Sequence, residues 1–544
     1  MKVVIVGGVA GGATAAARLR RLDENMEIIM IERGEYISFA NCGLPYYVGG
    51  VIQDKRDLTL QSKEGFYSRY RVDVRTNSEV IDIDIKKKRV KIKDADKEYF
   101  ETYDKLILSP GAKPRDIGLK RHEGMFTVRN IPDIFSIDRY ITNNDAKTAV
   151  VLGAGFIGIE MAENLMHRGL KVSIIEFAPH VLPSADVEAA HELQKYMKQC
   201  GLELYLSEKV VGIEKGKKLT IKTDKRKIES DIVIMATGVV PDTDVVIKAG
   251  LKCTEKGAIV VDDYMKTSSS DVYAVGDAVQ IKHFVTGQHV VSPFASSANK
   301  QARLVANNIC GIEEKYKGTV GTSILKFGDM VLASTGITEK TAQALGYEYE
   351  KSFTYSASNA TYYPGARNIS IKTIFDKYTG KIYGAQLIGS KGVDKRCDDF
   401  AVAIRAGFTV KDIADTEFCY APPFSSAKDP VNIAGLVADN ILTKRVKVWH
   451  WHDVEKVLAD KDAIALDVRT EHEYQHGHVD GFINIPVDEL RERINELDKQ
   501  KKIFLMCRTG LRSYIGYQIL SANGFQVYNF SGGYRLYEAV IKNA

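Results

Sequence analysis

The feature that most constrains this 544-residue chain is a pattern of strand, glycine-rich turn and helix that occurs twice. The second copy, Ala149 to Glu176, is complete, because Gly153, Gly155 and Gly158 stand at the three positions of a G-x-G-x-x-G turn. Such a turn brings backbone N–H groups to a pyrophosphate, and the acidic residue that ends the next strand bonds a ribose hydroxyl. The pattern predicts a parallel α/β fold that binds a dinucleotide. Glu176 favours a free 2′-hydroxyl and therefore NADH over NADPH.

The first copy lies at the start of the chain. We predict a buried strand over Lys2 to Val6, a turn over Gly7 to Gly12 and a helix over Ala13 to Leu22. The outer glycine positions are kept and Val9 holds the middle one. Glu32 ends the following apolar run, where it can bond a ribose. This copy also predicts a nucleotide site, although glycine-rich turns occur in other α/β proteins.

Two later segments support the first nucleotide fold. Tyr103 to Pro114 is an apolar strand that ends in a Ser-Pro-Gly-Ala turn, and Ser270 to Val279 is a strand that leads into Gly276-Asp277. We expect Asp277 at the start of a helix, accepting a hydrogen bond from a ribityl hydroxyl. The alternative is that Asp277 only caps that helix.

The segment Ile232 to Pro241 reads as a strand that returns the chain to the first fold, so the second fold is inserted in the first. Over residues 1–440 the sequence resembles the flavoprotein pyridine nucleotide-disulfide reductases. The resemblance implies FAD and NADH or NADPH as cofactors. It implies cofactor contacts from Gly7, Gly8, Ala10, Gly11, Gly12, Glu32, Arg33, Asn41, Val80, Ser109, Gly111, Arg129, Gly153, Gly155, Ile157, Gly158, Glu160, Glu176, Gly238, Gly276 and Asp277.

A single cysteine stands in the stretch Ser38 to Pro45, about ten residues after the first fold's acidic residue. Cys42 has no second cysteine within five residues, so it cannot form a short-spaced disulfide. A helix beginning near Leu44 would stabilise its thiolate. The position also places it against the redox group of the first fold. The alternative is a buried, inert thiol.

From about Gly321 the pattern changes to strands and turns followed by helices, which in the family form the dimer interface. No histidine occurs between His289 and His450, so the interfacial His-Glu acid-base pair of glutathione-reductase relatives is absent. The SFxxCGxP stretch with Tyr362 and Tyr420 most resembles coenzyme A disulfide reductases and their persulfide- or polysulfide-reducing relatives. That resemblance implies that both tyrosines donate hydrogen bonds in the other subunit's site; the alternative is packing aromatics.

The same resemblance implies a groove for CoA. Asn299 stands where a histidine is expected in the disulfide reductases, so the oxidant stays open among CoA disulfide, CoA persulfide and polysulfide. The arginines would recognise phosphates, or they form a solvated helix face. The implied groove residues are Thr14, Arg18, Arg21, Ser38, Asn41, Tyr70, Asn299 and Lys428.

A new domain begins after the stretch Asn440 to Val448. Within it, a strand leads into the six-residue loop Cys507 to Arg512 and then a helix. Inward backbone N–H groups, with Arg508 and Arg512, would stabilise a thiolate or persulfide on Cys507. This segment resembles a single-domain rhodanese, and a loop of six residues favours sulfane sulfur over phosphate. The alternative is an inactive rhodanese.

Composition excludes several classes. The chain is 45% hydrophobic and 27% charged, and its net charge of +5 is too small to indicate nucleic-acid binding. Seven widely spaced cysteines argue against a disulfide framework and for a reducing, cytoplasmic location. No CxxC or Cys/His cluster indicates a metal, and no apolar run approaches the roughly twenty residues of a membrane helix.

We therefore expect an α/β protein with two Rossmann-like folds, an α+β dimerisation domain and an α/β rhodanese domain. The expected boundaries are 1–112 with 240–320 for FAD, 113–239 for NAD(P)H, 321–440 for dimerisation and 447–544 for rhodanese. The expected function is a homodimeric NAD(P)H-dependent reductase of CoA persulfide, polysulfide or CoA disulfide. Two alternatives stay open: an NADH oxidase or peroxidase that uses a Cys42 sulfenic acid, and a sulfur-trafficking carrier on a flavin scaffold.

Overall fold

The computed structural model describes residues 1–541 of the chain. Two compact units are present. The first comprises Met1–Pro179 with Leu202–Thr319, and the second comprises His180–Gly201 with the residues from Val320 onward. Because the nucleotide-binding patterns fall in the first unit and the rhodanese-like segment falls in the second, each unit contains one candidate cysteine site.

The first unit contains a five-stranded parallel sheet built around the first glycine turn. Its strands, in spatial order, are Val272–Ala274, Lys105–Leu108, Lys2–Val6, Glu27–Ile31 and Asp73–Arg75. The two strands Lys2–Val6 and Glu27–Ile31 are largely apolar and buried except at their ends, as expected for a parallel sheet covered on both faces. The adjoining helices are Ala10–Leu22, Leu44–Val48, Lys63–Tyr70, Asp244–Lys248 and Ala295–Ile309. The smaller strands are Glu79–Asp84, Arg89–Lys93, Glu98–Thr102, Ile259–Val260, Val279–Lys282 and His289–Val291.

A second five-stranded parallel sheet follows the complete glycine pattern. Its strands, in spatial order, are Glu203–Tyr205, Lys171–Ile175, Thr148–Leu152, Ile232–Met235 and Met125–Thr127. Helices Ile131–Asn143 and Phe156–His167 accompany it, with the antiparallel strands Val210–Lys215, Leu219–Thr223 and Lys227–Ser230. Where the chain passes between the two sheets, Ala112–Pro114 pairs antiparallel with Val239–Pro241. The Rossmann-like α/β prediction is confirmed; the exact domain boundaries stay predictions.

The second unit contains an antiparallel five-stranded sheet. Its strands, in spatial order, are Ser323–Phe327, Met330–Gly336, Ile382–Gly389, Asn368–Asp376 and Tyr349–Ala357. The helices of this part are Val187–Gln199, Glu339–Ala344, Val393–Ala406, Val410–Asp415 and Pro430–Leu442. This is the α+β arrangement predicted for the dimerisation domain.

The second unit also contains a parallel five-stranded sheet. Its strands are Val448–Trp449, Gln526–Phe530, Lys502–Met506, Ala463–Asp467 and Ile483–Asn484. The helices are Val454–Ala459, Glu471–Gln475, Leu511–Ala522 and Gly533–Ile541. Trp449 fills the core, with the ring of Phe530 against it at 4.7 Å between centroids. Across residues 1–541, no helix combines the length and apolar character that crossing a bilayer would require.

Candidate active sites

Both acidic residues that end the nucleotide-binding strands are fixed by backbone N–H groups of their own turns. The Glu32 carboxylate accepts hydrogen bonds from the N–H groups of Gly8 and Gly34, each at 2.8 Å. The Glu176 carboxylate accepts them from Ala154 at 2.6 Å and Ala178 at 2.8 Å. Each carboxylate is thereby held beside its glycine turn, where the sequence places a ribose.

The glycines of the two turns allow close packing of each helix on its turn, and at Gly155 they leave open space. A Cβ added to Gly12 would lie 1.8 Å from the Gly7 carbonyl oxygen, so the helix packs directly on the turn. A Cβ added to Gly158 would meet the Gly153 carbonyl oxygen at 2.0 Å in the same way. At Gly155 an added Cβ would meet nothing within 4 Å. The space in front of this helix start therefore fits the phosphates of a dinucleotide.

Asp277 supports FAD in the first fold, although the local structure differs from the expectation. The strand Val279–Lys282 follows Asp277, so the predicted helix start, and with it the capping alternative, is wrong. The turn needs Gly276, whose φ is +87°, and the next chain segment is extended. The half-buried Asp277 carboxyl makes no hydrogen bond with another described residue, and burial raises its pKa against the opposing effect of Arg129. A carboxyl in this state suits a hydroxyl of a bound cofactor.

Cys42 lies exposed in the short 3₁₀ turn Asn41–Gly43, directly before the helix Leu44–Val48. The expected stabilisation of its thiolate is wrong in sign. Partial loss of hydration raises the pKa of Cys42, and the carboxylates of Glu160 and Asp277 raise it further. The helix that follows Cys42 has only five residues.

Glu160 is a titratable neighbour of Cys42 whose own pKa lies near neutral pH. Burial, assisted by the nearby Glu163 carboxylate, raises the pKa of Glu160 to about 7. Burial and the same two carboxylates raise the pKa of Tyr46 to about 12. Sequence reasoning assigned Glu160 to the nucleotide site and missed Tyr46. The only sequence signal for Tyr46 was its position four residues after Cys42.

The structure brings several implied CoA-groove residues together between the helices Ala10–Leu22 and Ala295–Ile309. The Thr14 hydroxyl donates to Asn299 Oδ1 at 2.9 Å, and Arg18 Nε donates to Asn307 Oδ1 at 3.0 Å. Arg21 lies exposed on the first of these helices. Asn307 was missed because only the pairing of two helices distant in sequence places it here.

The remaining implied residues of the first unit lie around the same fold. The Ser38 N–H donates to the Gly8 carbonyl, and the Asn41 amide lies 3.1 Å from both the carbonyl oxygen and Nη1 of Arg129. Arg33 is instead paired with Asp242 at 2.7 Å. Tyr70 packs on Phe66 and Val80 is buried; the others line the turns or their neighbours: Ala10, Gly11, Ser109, Gly111, Ile157 and Gly238.

In the second unit the hydroxyls of Tyr362 and Tyr420 lie 3.0 Å apart. Both rings are strongly exposed, with 75% of Tyr362 accessible, so neither fills a core. The hydrogen bond to Tyr420 raises the pKa of Tyr362. Lys428 is also exposed in this unit. The fold thus brings together two tyrosines that are 58 positions apart in the sequence. Their donation of hydrogen bonds in the other subunit's site stays a prediction.

Cys507 is buried at the end of the strand Lys502–Met506, with its sulfur held by local donors. The Gly510 N–H lies 3.1 Å from Cys507 Sγ, and the Ser513 hydroxyl lies 3.3 Å from it. The helix begins at Leu511, so the last two residues of the predicted loop form its first turn. Sequence reasoning missed Ser513 as a hydrogen-bond donor to the sulfur, although its position two residues after the helix start at Leu511 places it in the first turn, next to the loop.

The two arginines flanking Cys507 are both paired with acidic residues. Arg512 makes a bidentate ion pair with Glu473, at 2.5 and 2.7 Å. Arg508 lies 3.6 Å from Glu538. Part of the charge of both arginines is therefore offset by these carboxylates. A sulfur anion at Cys507 would be stabilised chiefly by the backbone N–H and the Ser513 hydroxyl.

Two dinucleotide-binding sheets, a lone cysteine beside the first and a dimerisation-type sheet define a pyridine-nucleotide-dependent oxidoreductase. Residues 1–302 match the family described as pyridine nucleotide-disulphide oxidoreductase, and residues 322–430 match its dimerisation domain. Residues 450–539 match the rhodanese-like domain. The chain belongs to the pyridine nucleotide-disulphide oxidoreductase family and has a C-terminal rhodanese domain.

Several known proteins are similar to this chain over most or all of its length. The structure of reduced CoADR-RHD from Bacillus anthracis is 44% identical, with a TM-score of 0.98, and the match covers 99% of this chain and 98% of that one. An NAD-dependent persulfide reductase from A. fulgidus is 36% identical, with a TM-score of 0.92, 99% of this chain and 100% of that one covered. An NADH oxidase from Methanocaldococcus jannaschii is 37% identical over 441 residues, which cover 80% of this chain and 98% of that protein.

Proposed function

We propose that this protein is a homodimeric, FAD-dependent reductase that uses NADH to reduce sulfane sulfur or disulfides on small thiols, with CoA persulfide, polysulfide and CoA disulfide as candidate oxidants. The observation that carries the proposal is the presence in one chain of two unlike cysteine sites. Cys42 lies exposed on the flavin-type fold, and Cys507 lies in a loop whose N–H and hydroxyl groups hold its sulfur. Similarity to a CoADR-RHD and to a persulfide reductase supports it.

The residues around the first fold fit FAD. Glu32 and Asp277 are the groups that would hold its hydroxyls, and Gly155 and Glu176 of the second fold would hold NADH. Bound FAD supplies the relay of two electrons from NADH toward Cys42. The preference for NADH over NADPH rests on the Glu176 carboxylate, which would repel a 2′-phosphate.

Cys42 performs the sulfur step. Its thiolate attacks one sulfur of the S–S bond of the oxidant, forms a new S–S bond and displaces a thiolate or hydrosulfide. Two electrons then cleave the new bond, restoring the Cys42 thiolate and releasing the second sulfur. Glu160, with a pKa of about 7, is placed to give a proton to the departing sulfur. Tyr362 and Tyr420 would donate hydrogen bonds to the same site from the other subunit.

The CoA groove would lie between the helices that carry Thr14 and Asn299, where Arg18 faces the same cleft. Arginine is suited to the phosphates of CoA. The protein would act in a reducing compartment such as the cytoplasm, which its seven unpaired cysteines support.

The NADH oxidase alternative is favoured by the 37% identity of this chain to an NADH oxidase over 441 residues, which cover 80% of the chain. That relative aligns with the flavin-type part, and oxygen chemistry offers no use for Cys507. The two functions differ in the oxidant that receives the electrons of NADH: a sulfur compound in the reductase and oxygen in the oxidase.

Steady-state NADH consumption should therefore be measured anaerobically with CoA persulfide, polysulfide and CoA disulfide, and separately with oxygen alone. We expect at least one sulfur oxidant to give a kcat/KM far above that of oxygen. Rapid turnover with oxygen and none with the three sulfur compounds would contradict the proposal and favour the oxidase.

A further inference from the structure

The first residues of the helix Gly533–Ile541 are hydrogen-bonded to the backbone of the Cys507 loop. The Tyr534 N–H donates to the Cys507 carbonyl at 2.7 Å, and the Arg535 N–H donates to the Arg508 carbonyl at 3.0 Å. A Cβ on Gly533 would lie 2.6 Å from the Cys507 carbonyl oxygen, so the two backbones pack directly against each other at this point. Any displacement of this helix start therefore moves the backbone that carries Cys507.

The same helix packs against the dimerisation part of the second unit. Leu536 and Val540 are buried with Phe353, which lies in the strand Tyr349–Ala357. The Phe353 N–H donates to the Ser531 hydroxyl at 3.3 Å, and the Val540 carbonyl lies 3.3 Å from the ring nitrogen Nδ1 of His191. The rhodanese helix thus has apolar and polar contacts outside its own domain.

Two polar relays join the antiparallel sheet, the helix Val187–Gln199 and the rhodanese domain. In the first, Lys372 Nζ donates to Glu188 at 2.9 Å, and Trp451 Nε1 donates to the other oxygen of Glu188 at 3.1 Å. In the second, the Ser370 hydroxyl donates to Glu192 at 2.9 Å, and Arg535 Nη2 donates to Glu192 at 2.5 Å. Ser370 and Lys372 are two residues apart on one strand and therefore point to the same face of the sheet. Glu188 and Glu192 are four residues apart on one helix and lie on the same side of it, so the two relays run side by side.

Arg535 is further constrained by the ring of Tyr355, over which its guanidinium lies at 4.6 Å. Tyr355 is half-buried, and loss of hydration together with the Glu192 carboxylate raises the pKa of its hydroxyl, which therefore stays neutral. The guanidinium is thus fixed by a carboxylate at its edge and a ring at its face. Through Glu192 and Tyr355, Arg535 connects the antiparallel sheet to the helix that contacts the Cys507 loop.

We propose that Arg535 is a positioning residue for Cys507: through its ion pair with Glu192, the dimerisation part holds the Cys507 loop in the geometry needed for sulfur transfer. The inference rests on the proposed function in that Cys507 carries sulfane sulfur. It goes further by making the rhodanese site depend on the reductase body. The rhodanese domain is then held against the dimerisation part of the second unit.

The test compares Arg535→Met, Arg535→Lys and Glu192→Gln in the full-length, FAD-loaded protein. The first readout is sulfur transfer from thiosulfate to cyanide. The second is the pH profile of Cys507 alkylation by iodoacetamide, followed on the Cys507 peptide by mass spectrometry. Arg493→Met is the matched control, because Arg493 pairs only with its own domain's Glu489 and Glu496 on the surface.

We expect Arg535→Met and Glu192→Gln each to lower the kcat of sulfur transfer about tenfold, since a small misplacement of a reacting group has effects of this order. The double variant should lose no more than either single variant, because both break one contact. Arg535→Lys should recover part of the loss. The alkylation profile of Cys507 should change in the same variants, while Arg493→Met matches the parent and NADH-dependent disulfide reduction stays within about twofold.

Unchanged sulfur transfer and an unchanged alkylation profile in Arg535→Met and Glu192→Gln would overturn the inference, even if the melting temperature falls. A parent protein that transfers no sulfur from thiosulfate would instead contradict the role proposed for Cys507. The alkylation profile separates the two failures, because it reports the setting of Cys507 without requiring sulfur transfer.

Discussion

The two cysteine sites of this protein are built in opposite ways. Cys507 is buried, and its sulfur is held by the Gly510 N–H and the Ser513 hydroxyl from its own loop. Cys42 is exposed, and the groups that act on its pKa, Glu160 and Asp277, are carboxylates that disfavour the thiolate. The Cys507 site therefore offers local donors to a sulfur anion. At the Cys42 site, stabilisation of the thiolate has to come from the groups that bind beside it.

This difference indicates a division of labour. A persulfide is an anion that must be kept without being reduced, which suits a buried loop with fixed donors. A thiol that passes electrons must meet substrate and cofactor, which suits an exposed turn with a nearby proton source. The predictions below test this division, beginning with the largest effect.

Replacing Cys42 should abolish reduction of sulfur oxidants and leave hydride transfer from NADH to the flavin intact. We expect Cys42→Ser to lower NADH consumption with sulfur oxidants by at least about a thousandfold, as expected for loss of a nucleophile. Stopped-flow bleaching of the flavin by NADH should stay near the parent rate, because that step needs only the two nucleotide folds. Near-parent turnover of polysulfide by the variant would show that Cys42 is not the sulfur-reducing group.

Replacing Cys507 should have the opposite pattern. Cys507→Ser should abolish transfer of sulfur from thiosulfate to cyanide, again by about a thousandfold. Reduction of a small disulfide through Cys42 should stay nearly unchanged, whereas poorly soluble sulfane donors should lose more. Equal losses in both assays would mean that the rhodanese domain is only a structural support, and no loss in either would remove Cys507 from the sulfur path.

Glu176→Ala should weaken NADH more than NADPH. Loss of the ribose contacts costs about 1–3 kcal/mol, and removal of the carboxylate relieves its repulsion of a 2′-phosphate. The ratio of the two KM values, measured with one oxidant at saturation, reports the change. A parent enzyme that already prefers NADPH strongly would show that Glu176 has been misinterpreted.

The smallest effect concerns the proton at the Cys42 site. Ionised Glu160 raises the pKa of Cys42, so Glu160→Gln should lower that pKa by less than about one unit. Since the pKa of Glu160 is about 7, its carboxyl is neutral below that pH. Alkylation of Cys42 should then match the parent at low pH and become faster than the parent above pH 7.

Glu203→Gln is the control for this experiment, because Glu203 is an exposed carboxylate already paired with Lys171. Identical alkylation profiles for Glu160→Gln and the parent across the whole range would remove Glu160 from the electrostatics of the Cys42 site.

Much of the fold could be predicted because its signals are local. The apolar runs and glycine spacings around Gly7 and Gly153 specify strand, turn and helix within thirty residues or fewer. The errors concern short elements: the first helix begins at Ala10 rather than Ala13, and a strand follows Asp277 where a helix was expected. The first glycine turn is shorter than its sequence indicates, and the chain after Gly276 is more extended than its sequence indicates.

The site residues that were missed or misjudged are those whose neighbours come from elsewhere in the chain. The raised pKa of Cys42 depends on Glu160, which only the packing of two helices brings near it. The contact between Arg535 and Glu192 spans 343 residues. No spacing rule relates such positions, so the sequence could place Cys42 and Cys507 without describing their electrostatics.

The measurement that tests the division of labour most directly is a map of sulfur on both cysteines. The FAD-loaded protein is treated anaerobically with CoA persulfide, with or without one equivalent of NADH, then alkylated and digested for mass spectrometry. We expect bound sulfur on Cys42 and Cys507 without NADH. With NADH, Cys42 should return to the thiol and release sulfide in proportion to the NADH oxidised. A Cys42 peptide that never carries sulfur, or whose sulfur NADH does not remove, would contradict the account.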